Sequence, residues 1–131
     1  MLGAVPLLGA VPSLALGAIF LVAGGSKIAA GTAWPRQAAE LGAPRSVALV
    51  LPWWELTLGA VLAVHLATRI VGVLALLSLL GFTAALVVRL EQGRHPLCAC
   101  FGAWRATPIG WGHVARNVAF VALAVVVIVV G

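Results

Sequence analysis

Four long apolar runs leave this chain little choice of fold. The first continues from Ser13 to Lys27, the second begins after Pro44 and reaches about Leu66, the third covers Ile70 to about Val88, and the fourth covers about His113 to Val130. With part of the segment before Ser13 added to the first, each approaches the roughly 20 residues that carry a helix across a bilayer. Hydrophobic residues make up 63% of the chain and charged ones 8%. That is too few polar groups to cover a soluble domain. The expected fold class is therefore an all-α membrane protein, a four-transmembrane-helix up-and-down bundle forming a single domain over residues 1–131.

The connections refine this picture. Residues 2–12 hold a short tandem repeat, GAVPLL then GAVPSL. A proline disrupts a helix interior, so regular helix is expected to start near Pro12 or to kink there. No basic residue precedes Lys27, and a secretory signal needs a basic leading region, so the first run reads as a retained helix. Gly17, Gly24 and Gly25 give it a thin side that another helix can approach. Residues 29–45 form a first loop in which Trp34 suits a membrane interface and the segment suits a short amphipathic turn along it. The link Ala67-Thr68-Arg69 is short enough to force an antiparallel hairpin.

The net charge of +5 is not that of a nucleic-acid binder, because the basic residues sit singly at the ends of apolar runs. Lys27, Arg36, Arg45, Arg89, Arg94, Arg105 and Arg116 lie toward the long loops, against Arg69 at the other side. By the positive-inside rule the long loops of this multi-pass cell-membrane protein face the cytoplasm.

The only two cysteines are Cys98 and Cys100, in the loop between the third and fourth runs. Thiols one residue apart can close a strained disulfide, which is more reducible than a relaxed structural bridge and suits exchange. Arg94, His95 and Arg105 are close in sequence, and positive charge favours the reactive thiolate. Phe101-Gly102 supplies an apolar anchor and a residue free to turn sharply. The alternatives are unreactive loop thiols or part of a metal site, but His95 with a Cys-x-Cys does not supply four ligands at finger-like spacing.

Inside the membrane the informative residue is Glu55. It lies nine residues past Ser46, about 13 Å along a helix at ~1.5 Å per residue, and so within the hydrocarbon. An ionisable group there marks function or a buried ion pair. Lys27 and Arg116 approach from the same side, and any of the three could partner another; for the two cations the alternative is snorkelling to the headgroups. Asn117 follows Arg116 in the same first turns of the fourth run. Pro52, just before Trp53-Trp54-Glu55, leaves the Ala48 carbonyl without its helical partner. His65 falls near the opposite surface and reads as interfacial.

With these motifs in view, the sequence resembles the MauE branch of the DoxX-like redox-associated membrane proteins. The likeness rests on LGAIFLVAGGSKI in the first run, LGAPRSVALVLPWWELTLGAVL through the second, CACFG in the loop and ARN opening the fourth. It implies a four-helix protein working with a thioredoxin-like partner, and in the methylamine system a role in maturing the disulfide-rich small subunit of methylamine dehydrogenase. That role implies cysteines on the outer face, against the charge bias.

The resulting expectation is a thiol-disulfide oxidoreductase or electron-transfer protein acting through Cys98 and Cys100. With no second cysteine pair, electrons must pass to a membrane quinone or another protein. Glu55, Lys27, Arg116 and Asn117 are then candidates for a quinone or ion-pair pocket. The rival is a non-catalytic membrane scaffold or assembly factor that docks a redox enzyme and its client subunit.

Overall fold

Each apolar run folds as a helix, because in lipid a segment must bond its backbone polar groups internally. The computed structural model describes residues 4–94, 97–98, 107–108 and 110–130, with side chains over 10–94 and 110–130. Helices α1 (Ala4–Ala29), α3 (Arg45–Ala63), α4 (Thr68–Glu91) and α5 (Trp111–Val130) are the four long ones, and a short α2 (Ala33–Glu40) follows α1. All four long helices are apolar and long enough to cross a membrane. Two-residue strands β1 (Leu97–Cys98) and β2 (Thr107–Pro108) pair antiparallel, Leu97 with Pro108 and Cys98 with Thr107. The all-α four-span bundle expected from the sequence is the architecture observed.

The spans form a ring in which α1 touches α3 and α5, and α4 touches α5 and α3. One core gathers Leu16, Phe20, Leu58, Leu62, Ala75 and Val127 between them; a second, at the long-loop end, gathers Trp34, Ala38, Leu41, Ala48, Leu86 and Leu90. Large apolar side chains such as Val50, Ile70, Leu77 and Val129 point outward, as a lipid-facing surface requires.

The most intimate contact is between α1 and α3. A Cβ built on Gly17 would stand 2.8 Å from the Gly59 carbonyl oxygen, and one on Gly59 would stand 2.8 Å from that of Gly17. Only glycine lets the backbones come this close. The buried Ser13 hydroxyl donates across the same interface to the Leu62 carbonyl at 2.6 Å. This antiparallel register carries Lys27 alongside Glu55.

Two expectations need correcting. Of the two alternatives at Pro12, the later start is the one overturned: helix α1 starts at Ala4 and runs through Pro12. Pro6 lies in the first turn, where no helical bond is lost, and Pro12 removes one bond from a long ladder. Trp34 is 3% exposed and sits inside the bundle; it is not an interfacial anchor. The loop 29–45 is indeed helical in part, but α2 turns Trp34, Gln37 and Ala38 inward. Gly42, at φ +94°, ends this element, and a Cβ there would strike the Arg89 guanidinium folded over it. The α3–α4 turn uses left-handed backbone at His65 and Ala67.

Candidate functional site

The site begins with a broken hydrogen bond. Pro52 has no N–H, so the Ala48 carbonyl one turn earlier lacks its helical donor. The Trp34 indole Nε1 donates to that oxygen at 2.7 Å. A proline in α3 thus creates the acceptor that draws α2 into the bundle.

Once seated, the Trp34 ring lies over the Lys27 ammonium, with Nζ 5.1 Å from the ring centroid, and Phe82 of α4 stands on another side at 5.5 Å. Lys27 Nζ contacts Glu55 Oε1 at 2.9 Å and donates to Oε2 at 3.2 Å, with the Ala23 carbonyl at 3.4 Å. The contact to Oε1 is ionic; that oxygen takes no well-directed hydrogen bond. Lys27 is 3% and Glu55 8% exposed. Two opposite charges removed from solvent hold each other strongly, and cation–π contacts on two sides add to the ammonium's environment.

Beside the pair is a cavity of about 310 Å³ whose wall is mostly apolar and includes Phe20, Trp34 and Phe82. Its polar lining includes Lys27, Glu55, Ser78 and Asn117. Asn117 is 2% exposed, and its Nδ2 has no hydrogen-bond partner. A buried amide N–H without an acceptor costs about 1–3 kcal/mol. Native interiors rarely tolerate one without a reason, and a ligand acceptor is one such reason.

The family model for methylamine utilisation protein MauE matches residues 5–130. The chain belongs to the MauE family. It is 37% identical over 86 residues to the methylamine utilization protein MauE of Paracoccus denitrificans, covering 65% of this chain and 46% of that protein. The chain thus spans about half the length of the curated relative it matches. No solved structure matches.

In this MauE-family chain the structure brings together three of the intramembrane candidates: Lys27 and Glu55 as an ion pair, and Asn117 in the wall of the same cavity. Arg116, the fourth, instead sets its guanidinium over the Phe120 ring at 5.8 Å. Cys98 lies in β1, whose backbone packs beside α2, the helix that carries Trp34. Cys100, Phe101, Gly102, Arg105 and the side chain of Cys98 lie outside the described residues. Sequence reasoning missed Trp34 and Phe82 as walls of the site. The orphaned Ala48 carbonyl was a signal for the first, since a buried acceptor requires a donor and tryptophan has one; Phe82 carries no local signal.

Proposed function

We propose that this protein is a membrane thiol-disulfide oxidoreductase serving methylamine utilisation, in which Cys98 and Cys100 exchange a disulfide with a thioredoxin-like partner. The observation that supports it most is the packing of the Cys98 strand beside α2, whose Trp34 closes the cavity holding the Lys27–Glu55 pair. Family membership supports the setting of methylamine utilisation.

The exchange balances as follows. A partner thiolate attacks one sulfur of the Cys98–Cys100 disulfide, the S–S bond breaks, and a mixed disulfide forms. The partner's second thiol resolves it, leaving the partner oxidised and Cys98 and Cys100 as thiols. Reoxidation of this pair releases two electrons and two protons, which a membrane quinone takes up to become a quinol. The cysteine loop is proposed to face the cytoplasm, where disulfides are typically transient and catalytic. Lys27, Arg89 and Arg116 all make contacts with the protein, Arg89 over Gly42, yet Arg36, Arg45, Arg94 and Arg105 still outnumber Arg69.

The test uses purified protein, a reduced thioredoxin-like protein and a short-chain quinone. One quinol should appear per partner disulfide formed. Cys98→Ser and Cys100→Ser should each abolish turnover while membrane abundance is retained. Full activity in either variant would rule out exchange through the pair. Partner binding without quinone reduction would favour a scaffold.

A further inference from the structure

The cavity is not sealed inside the bundle. Helices α3 and α4 meet over a much shorter stretch than α1 with α3 or α4 with α5, and the cavity extends into the gap between them. There it is lined by Val47 of α3, 46% exposed, and by Leu77 of α4, 59% exposed, together with the exposed Gly81. Trp54 Nε1 donates to Ser78 Oγ at 2.8 Å, a single bridge from α3 to α4 beside this opening. A second depression of about 320 Å³ runs along the outer face of α3, lined by Ser46, Val47, Val50, Leu51 and Trp54. It shares Val47 and Leu51 with the cavity, so the two adjoin along the same stretch of α3.

We infer that this is a lateral quinone site: the ring enters from the bilayer between α3 and α4, its carbonyl oxygen accepts a hydrogen bond from Asn117 Nδ2, and its isoprenoid tail lies along the outer groove of α3. This rests on the thiol-oxidase reading above, in which a membrane quinone is the two-electron acceptor. The cavity's own chemistry favours that occupant. Its volume is at the lower end of the ~300–1,000 Å³ usual for small-molecule pockets, enough for a ring and not for a long tail. Aromatic rings wall it, which suits a flat conjugated headgroup. The charges present are already paired with each other, so a zwitterionic lipid headgroup would find no free counter-charge in this pair, whereas the vacant Asn117 donor calls for a neutral acceptor. The quinone leaves as quinol by the same opening, carrying the two electrons and two protons lost when the Cys98 and Cys100 thiols join as a disulfide.

Two variants separate this site from general lipid solubility. Asn117→Leu removes the unpaired amide, and Gly81→Leu places a side chain at the opening where an added Cβ meets nothing within 4 Å; leucine is also the better helix former. The protein in nanodiscs is titrated with a short-tailed azidoquinone, photolysed, and the cross-links are mapped by peptide mass spectrometry. The wild type should label saturably within residues 47–55 and 77–85. Asn117→Leu should weaken half-saturation about tenfold, as expected for one lost hydrogen bond, while its unfolding midpoint is unchanged or higher. Gly81→Leu should lower labelling in the same two segments. Equal labelling in all three proteins, or labelling spread over every lipid-facing helix, overturns the site. Cys98→Ser must label as the wild type does. Specific labelling without oxidation of the partner would refute the thiol chemistry alone, and partner oxidation with non-specific labelling would refute this site alone.

Discussion

Replacing Trp34 by Phe should destabilise the bundle, and replacing Pro52 by Ala should remove most of that effect. Trp34→Phe keeps an aromatic face over Lys27 but deletes the donor to the Ala48 carbonyl. Ala48 is 0% exposed, so no water replaces the indole. An unpaired buried carbonyl costs about 1–3 kcal/mol in general, and hydrogen bonds measured inside membrane bundles average ~0.6 and reach ~1.7 kcal/mol. A loss of about 1–1.5 kcal/mol is therefore expected, roughly a five- to tenfold shift in the unfolding constant. In the Pro52→Ala background residue 52 has an N–H again, and it is one helical turn from Ala48. The helical bond re-forms, the carbonyl no longer needs Trp34, and Trp34→Phe then costs only the packing of the lost ring atoms. The coupling between the two substitutions should be about 1 kcal/mol. The four proteins can be compared by reversible unfolding in mixed micelles, followed by far-ultraviolet circular dichroism. Strict additivity would show that the indole bond does not compensate for the proline and would undo the account of why α2 is drawn into the bundle.

Three further outcomes are expected. Glu55→Gln and Lys27→Met should each lower membrane abundance by leaving a buried charge alone, about 3 kcal/mol or more for each, while the double variant is milder than their sum; the Glu55→Gln, Arg116→Met cycle should be additive, and coupling there would mean that Glu55 answers to Arg116 as well. Gly17→Leu should force α1 and α3 apart because its Cβ would meet the Gly59 oxygen at 2.8 Å and the Ala63 nitrogen at 3.0 Å, whereas Gly25→Ala, with nothing within 4 Å, should leave the melting temperature unchanged or raised; equal effects would place the close crossing elsewhere. A membrane-impermeant maleimide should reach Cys98 and Cys100 only after cells are opened, and labelling of intact cells, directly or after reduction, would move the loop to the outer face.

Most of the architecture was legible because its causes are local. A run of about 20 apolar residues can do little in lipid except form a helix, and the short link at Ala67 leaves an antiparallel hairpin as the only connection. Glu55 stood out for the same reason: the cost of its charge depends on depth, and depth can be counted in residues. Its partner was not legible. Lys27 and Arg116 both start near the long-loop end, and the choice between them depends on the close approach of α1 to α3, which Gly17 and Gly59 permit only as a pair. The sequence showed Gly17 as half of an interface without its other half.

Trp34 was misjudged for a related reason. A tryptophan near a helix end beside a charged loop has the composition of an interfacial anchor, and on its own that is the better inference. What overrides it is a long-range acceptor, the Ala48 carbonyl, which exists because of a proline 18 residues further along the chain. A buried orphan acceptor must be satisfied by something, and the candidates are few in so apolar a chain. Pairing Pro52's lost bond with the indole N–H therefore turns two separate sequence features into one constraint. That constraint seats α2 over the ion pair, closes the cavity on its loop side, and leaves the gap between α3 and α4 as the proposed route to the bilayer.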